Sequence, residues 1–309
     1  MVENMKKLKL TRDDRNGFLF ALPWIIGFLL LSLYPLIMSF YYSFTEFNFI
    51  SDPEWVGLDN YTDLFQDRRF YKSLSNTCFY AFIATPILLL VALLLALVAN
   101  RKFKLKGVAR TIFFLPSVIP MVAATMVWIW MFDPTYGYIN NFLALFGIEG
   151  PAWLINPKTT KWALVLMGSW CTGTTMLVCL AALQDVPQSY YESAELDGAN
   201  AFQQFIHITI PSVAHVIVYQ AILNLINAFQ YFTQVYVITT ASGGNTSTAS
   251  GGPENSILMY PLYLFHNAFV YQKMGKASAM AWILMVIVGI LTFVMVKLSK
   301  KATSNAGGE

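Results

Sequence analysis

Apolar runs set the plan of this chain. Residues 17–44, 76–99, 111–132, 162–183, 211–240 and 277–296 contain no Lys, Arg, Asp or Glu. Each is long enough to cross about 30 Å of hydrocarbon, which takes roughly 20 helical residues. Each is expected to be a helix, because a lipid-exposed strand would leave its backbone groups without partners. The pattern predicts an all-α polytopic membrane protein with six transmembrane helices. The first run is too long for the apolar segment of a signal peptide and lacks a clear cleavage site, so it reads as a retained span. Between the fourth and fifth runs lies a different stretch, 184–210. Here Glu192, Glu195 and Asp197 stand close together and Gly198 follows.

Composition agrees with lipid as the main solvent. The chain is 56% hydrophobic and 12% charged, with a mean hydropathy of +0.53. Soluble domains carry about 25% charged residues. A net charge of +3 is too small to imply a nucleic-acid partner. Cys78, Cys171 and Cys179 form no C-x-x-C and sit in apolar surroundings, so they read as packing thiols.

The distribution of basic residues orients the spans. Lys6, Lys7, Lys9, Arg12 and Arg15 precede the first run. Arg101, Lys102, Lys104, Lys106 and Arg110 follow the second, and Lys297, Lys300 and Lys301 follow the last. The positive-inside rule then places both termini in the cytoplasm. Stretch 184–210 holds no Lys or Arg, so only parity places it on the cytoplasmic side. The expected organisation is a basic tail over 1–16, one membrane domain over 17–297 carrying the 184–210 loop, and a second tail over 298–309.

Local signals add detail. Pro116 and Pro120 in LPSVIP mark a bend in the third span, and Pro23 and Pro35 loosen the first. Residues 45–75 read as an outer loop with an amphipathic helix on the membrane surface. The Gly, Ser and Thr of 241–252 read as flexible. Within the polar loop, Pro187 suits a helix's first turn and Ser189-x-x-Glu192 offers a capping box. Gly198 is expected to end that helix, and 199–209 to form a second one leading to Pro211.

Catalytic patterns are missing. There is no phosphate-binding G-x-x-x-x-G-K-[ST], since Val270 stands where Gly275-Lys276 would need a glycine. No G-x-S-x-G occurs, and His207, His215 and His266 are scattered. The fifth run is the most polar: Asn224, Asn227 and Tyr231 fall on one helix face, with Gln220 one turn earlier. The fourth run adds Trp170, Thr172, Thr174 and Thr175 around Gly173. Such side chains deep in a membrane line a polar path or bond neighbouring helices.

Glu192-Ser193-Ala194, Asp197-Gly198-Ala199, and Ile208 with Pro211 resemble the EAA loop of ABC importer permeases. Ser193 stands where alanine is usual and Ile210 where leucine is usual. Gly57, Asn60-Tyr61, Leu64, Phe70, Leu74 and Asn76-Thr77 are similar to the approach to the second span in the maltose-type, binding-protein-dependent sugar permeases. Residues 137–148, Gly251-Gly252-Pro253, Tyr260, Tyr263, Ala268-Phe269, Gly275 and Ala277-Ser278-Ala279 extend the likeness over 57–279.

The resemblance implies the ABC type I importer permease fold in its six-span form, in a bacterial cytoplasmic (inner) membrane. It implies a second homologous permease, two ATPase subunits that hold the ATP and Mg, and an extracytoplasmic binding protein that delivers a di- or oligosaccharide. It implies no cofactor in this subunit. Glu192, Ser193, Ala194, Asp197, Gly198, Ala199 and Pro211 would couple to the ATPase. Trp170, Thr174, Asn224, Asn227 and Tyr231 would line the sugar path, with Asn227 substituting for Ala228 at a family contact position. Three alternatives remain at this point, one of them a purely structural membrane scaffold, which would leave the polar stripe of the fifth run unexplained. The same machine could carry glycerol phosphodiesters, although the fourth and fifth runs offer no Lys or Arg, and an ion-coupled carrier would need an intramembrane carboxylate.

Overall fold

A computed structural model describes residues 12–101, 104–241 and 251–306. Lys6, Lys7, Lys9, Lys102 and most of the 241–252 insertion lie outside the described residues. Helices α1 (Arg12–Phe28) and α2 (Tyr34–Tyr42) form the first apolar element, joined by a π turn at Leu29–Leu33. A two-residue hairpin of β1 (Thr45–Glu46) and β2 (Glu54–Trp55) leads to α3 (Asp59–Gln66). Helices α4 (Arg68–Phe79) and α5 (Thr85–Asn100) make one long helix through a π turn at Tyr80–Ala84.

The third apolar run bends where LPSVIP predicts it, and the fourth is bent as well. Helix α6 (Lys106–Phe114), with its 3-10 extension to Val118, meets α7 (Met121–Met131) at 100°. The cause is local. Pro116 begins the 3-10 turn, and Pro120 pushes Ile119 into extended backbone (φ −70°, ψ 131°), where a helix cannot continue. After α8 (Tyr138–Ala144), helices α9 (Pro157–Trp170) and α10 (Gly173–Gln184) meet at 50°. Gly173 sits under the bend of the preceding element. A β-carbon there would lie 2.8 Å from the Phe113 carbonyl oxygen and 2.9 Å from Phe114 Cα.

The polar loop folds as α11 (Gln188–Leu196) and α12 (Ala201–Gln204). A π turn at Phe205–Thr209 runs from α12 into α13 (Ile210–Phe229), and α14 (Thr233–Ala241) follows a break at Gln230. The last elements are α15 (Tyr260–Phe265), a π turn at His266–Val270, and α16 (Met274–Ala306). Among the described residues four stretches are long and apolar enough to cross a membrane, and up to six if each bent pair counts as one.

Three of the π turns share one cause. Each ends two residues before a proline: Leu29–Leu33 before Pro35, Tyr80–Ala84 before Pro86, and Phe205–Thr209 before Pro211. Proline brings no N–H and its ring collides with the carbonyl four residues back. Widening the preceding turn relieves the collision while keeping the remaining groups bonded.

Two cores lie at opposite ends of the α4–α5 helix. One gathers Leu64, Phe70, Tyr80, Trp128, Phe229, Ile257, Tyr260 and Met280. The other gathers Ala92, Ala96, Ala99, Met176, Leu180, Leu183 and Val213. Most of the 45–75 stretch is exposed, and Leu64 and Phe70 tie it to the bundle as core residues. Asn60 donates to the Ser43 and Thr45 carbonyls, fastening the stretch to the end of α2.

Candidate functional site

Two places stand out, one at the tip of the polar loop and one between the two cores. At the loop, Gly198 has φ +81°, in the left-handed region that a residue with a side chain rarely adopts. The Gly198 amide donates to the Glu195 carbonyl and the Ala199 amide to the Ala194 carbonyl, the paired bonds of a Schellman turn. Asn200 then caps α12. Its side chain accepts from the Phe202 and Gln203 amides, and the Gln203 side chain accepts from the Asn200 amide.

This corrects the expected capping box at Ser189. Pro187 takes the cap position of α11 with an extended ψ of 132°, which leaves Ser189 inside the helix. The second helix begins at Ala201, and it continues through Pro211 into α13 without a break.

The resulting elbow carries Glu192, Ser193, Glu195, Asp197 and Gly198 exposed, with Ala194 and Ala199 half-buried. Among the described residues none of its carboxylates has a cation within ion-pair distance; the one ion pair found there joins Lys276 to Asp67. Leu196 is 90% exposed and Phe202 70% exposed. Exposed apolar side chains flanked by unpaired acids are costly on a free surface and suit a partner's groove. Sequence reading noticed the acids and missed these two. Their signal was the chain pattern itself, Leu and Phe bracketing the Asp197-Gly198 turn.

The second place is a cavity of about 150 Å³ lined by α5, the α9–α10 break and the end of α13. Tyr80, Thr85, Cys171, Thr172, Thr175, Asn224, Asn227 and Tyr231 supply its polar wall, with Leu88, Gly168 and Ala228 between them. Tyr80 packs against Tyr231 with centroids 4.2 Å apart and the rings tilted by 32°. The Tyr231 hydroxyl is buried beside the Tyr80 side chain and makes no hydrogen bond of good geometry. Tyr231 is not on the helix of Asn224 and Asn227 as expected, because α13 ends at Phe229; the break after it turns Tyr231 into the cavity.

Trp170 and Thr174 are not among the lining residues. Trp170 packs edge-on against Trp128, centroids 5.9 Å apart, and Thr174 is exposed. Tyr80 and Thr85 were not anticipated at all. The proline-driven π turn places both, and the Thr85 hydroxyl donates to the Tyr80 carbonyl five residues back.

Comparison with known proteins adds to this geometry. The family described as "Binding-protein-dependent transport system inner membrane component" matches residues 89–304. The probable ABC transporter permease protein YesP of Bacillus subtilis (strain 168) is 39% identical over 96% of this chain and 94% of its own length. The arabinooligosaccharides transport system permease protein AraP of the same strain is 32% identical over 91% of this chain and 88% of its own. Among solved structures, a bacterial ABC transporter involved in import of the acidic polysaccharide alginate superposes with a TM-score of 0.78. It covers 94% of this chain and 97% of that one at 21% identity, a likeness of fold.

Proposed function

Because the chain belongs to the binding-protein-dependent transport system inner membrane component family, we propose that this ABC importer permease carries a neutral di- or oligosaccharide through the Tyr80–Asn224–Tyr231 cavity. The observation that supports this most is the buried Tyr231 hydroxyl, which makes no hydrogen bond of good geometry and faces a cavity with two asparagine amides. A buried polar group without a partner costs about 1–3 kcal/mol, and a sugar hydroxyl is the kind of group that would relieve it. The Tyr80 and Tyr231 rings, tilted 32° to one another, give the cavity an aromatic wall of the kind a pyranose packs on. Relatives named for arabinooligosaccharides and for lactose transport favour the same class.

The lining holds no Lys or Arg for a phosphodiester and no Asp or Glu for a coupling ion. At about 150 Å³ the cavity is smaller than the roughly 300–1,000 Å³ that encloses a small-molecule ligand. That size suits half of a site, completed by a second homologous permease. In this reading the elbow at Gly198 faces the bacterial cytoplasm and docks into ATPase subunits that bind ATP and Mg, and both termini lie on the same side. An extracytoplasmic binding protein delivers the sugar at the other end.

Two measurements test the reading. ATP hydrolysis by the assembled transporter with its binding protein should rise with a neutral oligosaccharide from a panel; a response confined to glycerol phosphodiesters would sink it. A cysteine at Ser189 should resist an impermeant thiol reagent in intact cells, and labelling from outside would overturn the orientation.

A further inference from the structure

The elbow and the fifth apolar element are joined by a closed circuit of hydrogen bonds. The Ala199 amide donates to the Ala194 carbonyl in the turn. The Gln204 side-chain amide donates to the Ala199 carbonyl at 3.3 Å. The Thr209 hydroxyl reaches the Gln204 carbonyl at 3.5 Å, five residues back. The Tyr191 hydroxyl lies 3.0 Å from Thr209 Oγ1, and Tyr191 stands one turn before Ala194 on α11. If the Thr209 proton goes to Gln204, the Tyr191 hydroxyl is the donor to Thr209.

A threonine in an ordinary helix bonds back four residues. The reach of five exists because the turn before Pro211 is a π turn. Thr209 is 6% exposed, so this contact is shielded from water, unlike the exposed acids a few residues away. Beyond Thr209 the same rod runs unbroken to Phe229 and carries Asn224 and Asn227 into the cavity.

We infer that Tyr191 and Thr209 are positioning residues that lock the elbow to α13, so that elbow and cavity wall move as one lever during transport. Without their bond, α11 is attached to α13 chiefly through the Gly198 turn and the short α12. Such an attachment can pivot when the elbow is pushed. The inference rests on the docking reading above and adds the element that carries the push to the cavity.

The test uses the whole transporter with Cys78, Cys171 and Cys179 replaced by serine. Spin labels at Ser189 on α11 and Leu223 on α13 report their separation, without nucleotide and after trapping with ATP, Mg and vanadate. The expected result is one narrow distance distribution shared by both states. Tyr191→Phe and Thr209→Val should each broaden it or make it shift on trapping, whereas Thr209→Ser, which keeps the hydroxyl, should restore the narrow form. A separation that shifts on trapping in the parent background overturns the inference, as does a narrow, unshifted one in Tyr191→Phe. Failure of the docking reading is separate and shows as normal ATPase co-purification with Glu192→Lys.

Discussion

The two ends of this helical bundle are held together in different ways. At the end formed by α3, α4, α15 and the start of α16, the core is built from large side chains. Bonds there run between residues far apart in sequence. Asn76 Nδ2 donates to the Asn255 and Leu258 carbonyls, Thr77 Oγ1 accepts from the Tyr260 amide, and the Tyr260 hydroxyl donates to the Met280 carbonyl. Asp67 gathers Tyr263, Lys276 and the Arg69 amide. At the elbow end the core is rich in alanine: Ala92, Ala96, Ala99 and Ala182. Small side chains let helices approach closely without interlocking, which suits sliding of one packed helix on another. One end is interlocked by large side chains and long-range bonds and the other packs through small ones, with the cavity between.

The largest break in that contrast should come at the elbow. Glu192→Lys is expected to abolish uptake, since disrupting an interfacial charge pair typically costs about 2–5 kcal/mol. Gly198→Val, at φ +81°, forces a strained backbone worth about 1–3 kcal/mol. Permease abundance in the membrane should stay normal for both, because neither residue lies in a core. Co-purification of the ATPase, set beside uptake, is the measurement; normal recovery and uptake in Glu192→Lys would remove the coupling role.

The opposite end should respond in stability instead. Asn76→Ala takes its donor from the buried Leu258 carbonyl, while the Asn255 carbonyl keeps the Leu258 amide; a buried group left unsatisfied costs about 1–3 kcal/mol. Thermal unfolding in detergent should move down clearly, with any uptake lost in proportion to folded protein. Unchanged unfolding would show that the 251–271 segment is not held as described.

A smaller effect is expected at the cavity. Tyr231→Phe removes a hydroxyl that makes no well-formed hydrogen bond and has only the Tyr80 side chain beside it as a polar neighbour of record, so unfolding should change little. Half-saturation for the sugar should rise about two- to tenfold, the equivalent of one net hydrogen bond of roughly 0.5–1.5 kcal/mol. Asn224→Leu should act likewise with ATPase assembly intact. Normal transport in both would make the polar wall a packing feature.

The mildest prediction concerns acid. Burial pushes the Asp67 carboxyl up, but the Tyr263 hydroxyl, the Lys276 ammonium and the Arg69 amide outweigh it and hold the carboxyl below its ordinary 3.8. Its contribution is present above that value and is lost as pH falls through the lower folded one. Burial, helped by the Arg69 charge, lowers His266 from 6.5 to about 4. The unfolded chain therefore binds a proton there that the folded chain does not, and stability falls as pH drops from 6.5 toward about 4. His266→Gln should flatten the unfolding profile in that window. An unaltered slope would exclude His266 as its source.

Legibility in the sequence followed chemical contrast. The elbow was readable because acids and a glycine interrupt an apolar chain, and Gly198 takes the backbone form its residue type suggests. The bend at LPSVIP was signalled by its prolines, although its 100° was not. Tyr80 and Thr85 were hidden because they sit in a run whose composition reads as lipid-facing. Their inward placement depends on a widened turn that only backbone geometry reveals. Ile257, Leu258 and Met259, at most 1% exposed, were hidden for the reverse reason: a short apolar segment beside a Gly/Ser tract has no period to declare what it packs on. Ser189 failed as a cap because a neighbouring proline had already taken the backbone angles a cap needs.

The π turn before Pro86 has a consequence for how the gene can vary in length. Its hydrogen-bonded ring closes over five residues where an α turn closes over four, so it stores one residue of slack between the two cores. Losing a single codon within 81–83 would remove that slack and let α4 and α5 keep the faces they turn to their cores, but it would return the Pro86 ring to collision with the carbonyl four residues back, at about 3 kcal/mol. The wide turn that swings Tyr80 and Thr85 into the cavity would be gone as well. In this span, then, one residue of length sets both the strain around Pro86 and what the pathway can hold.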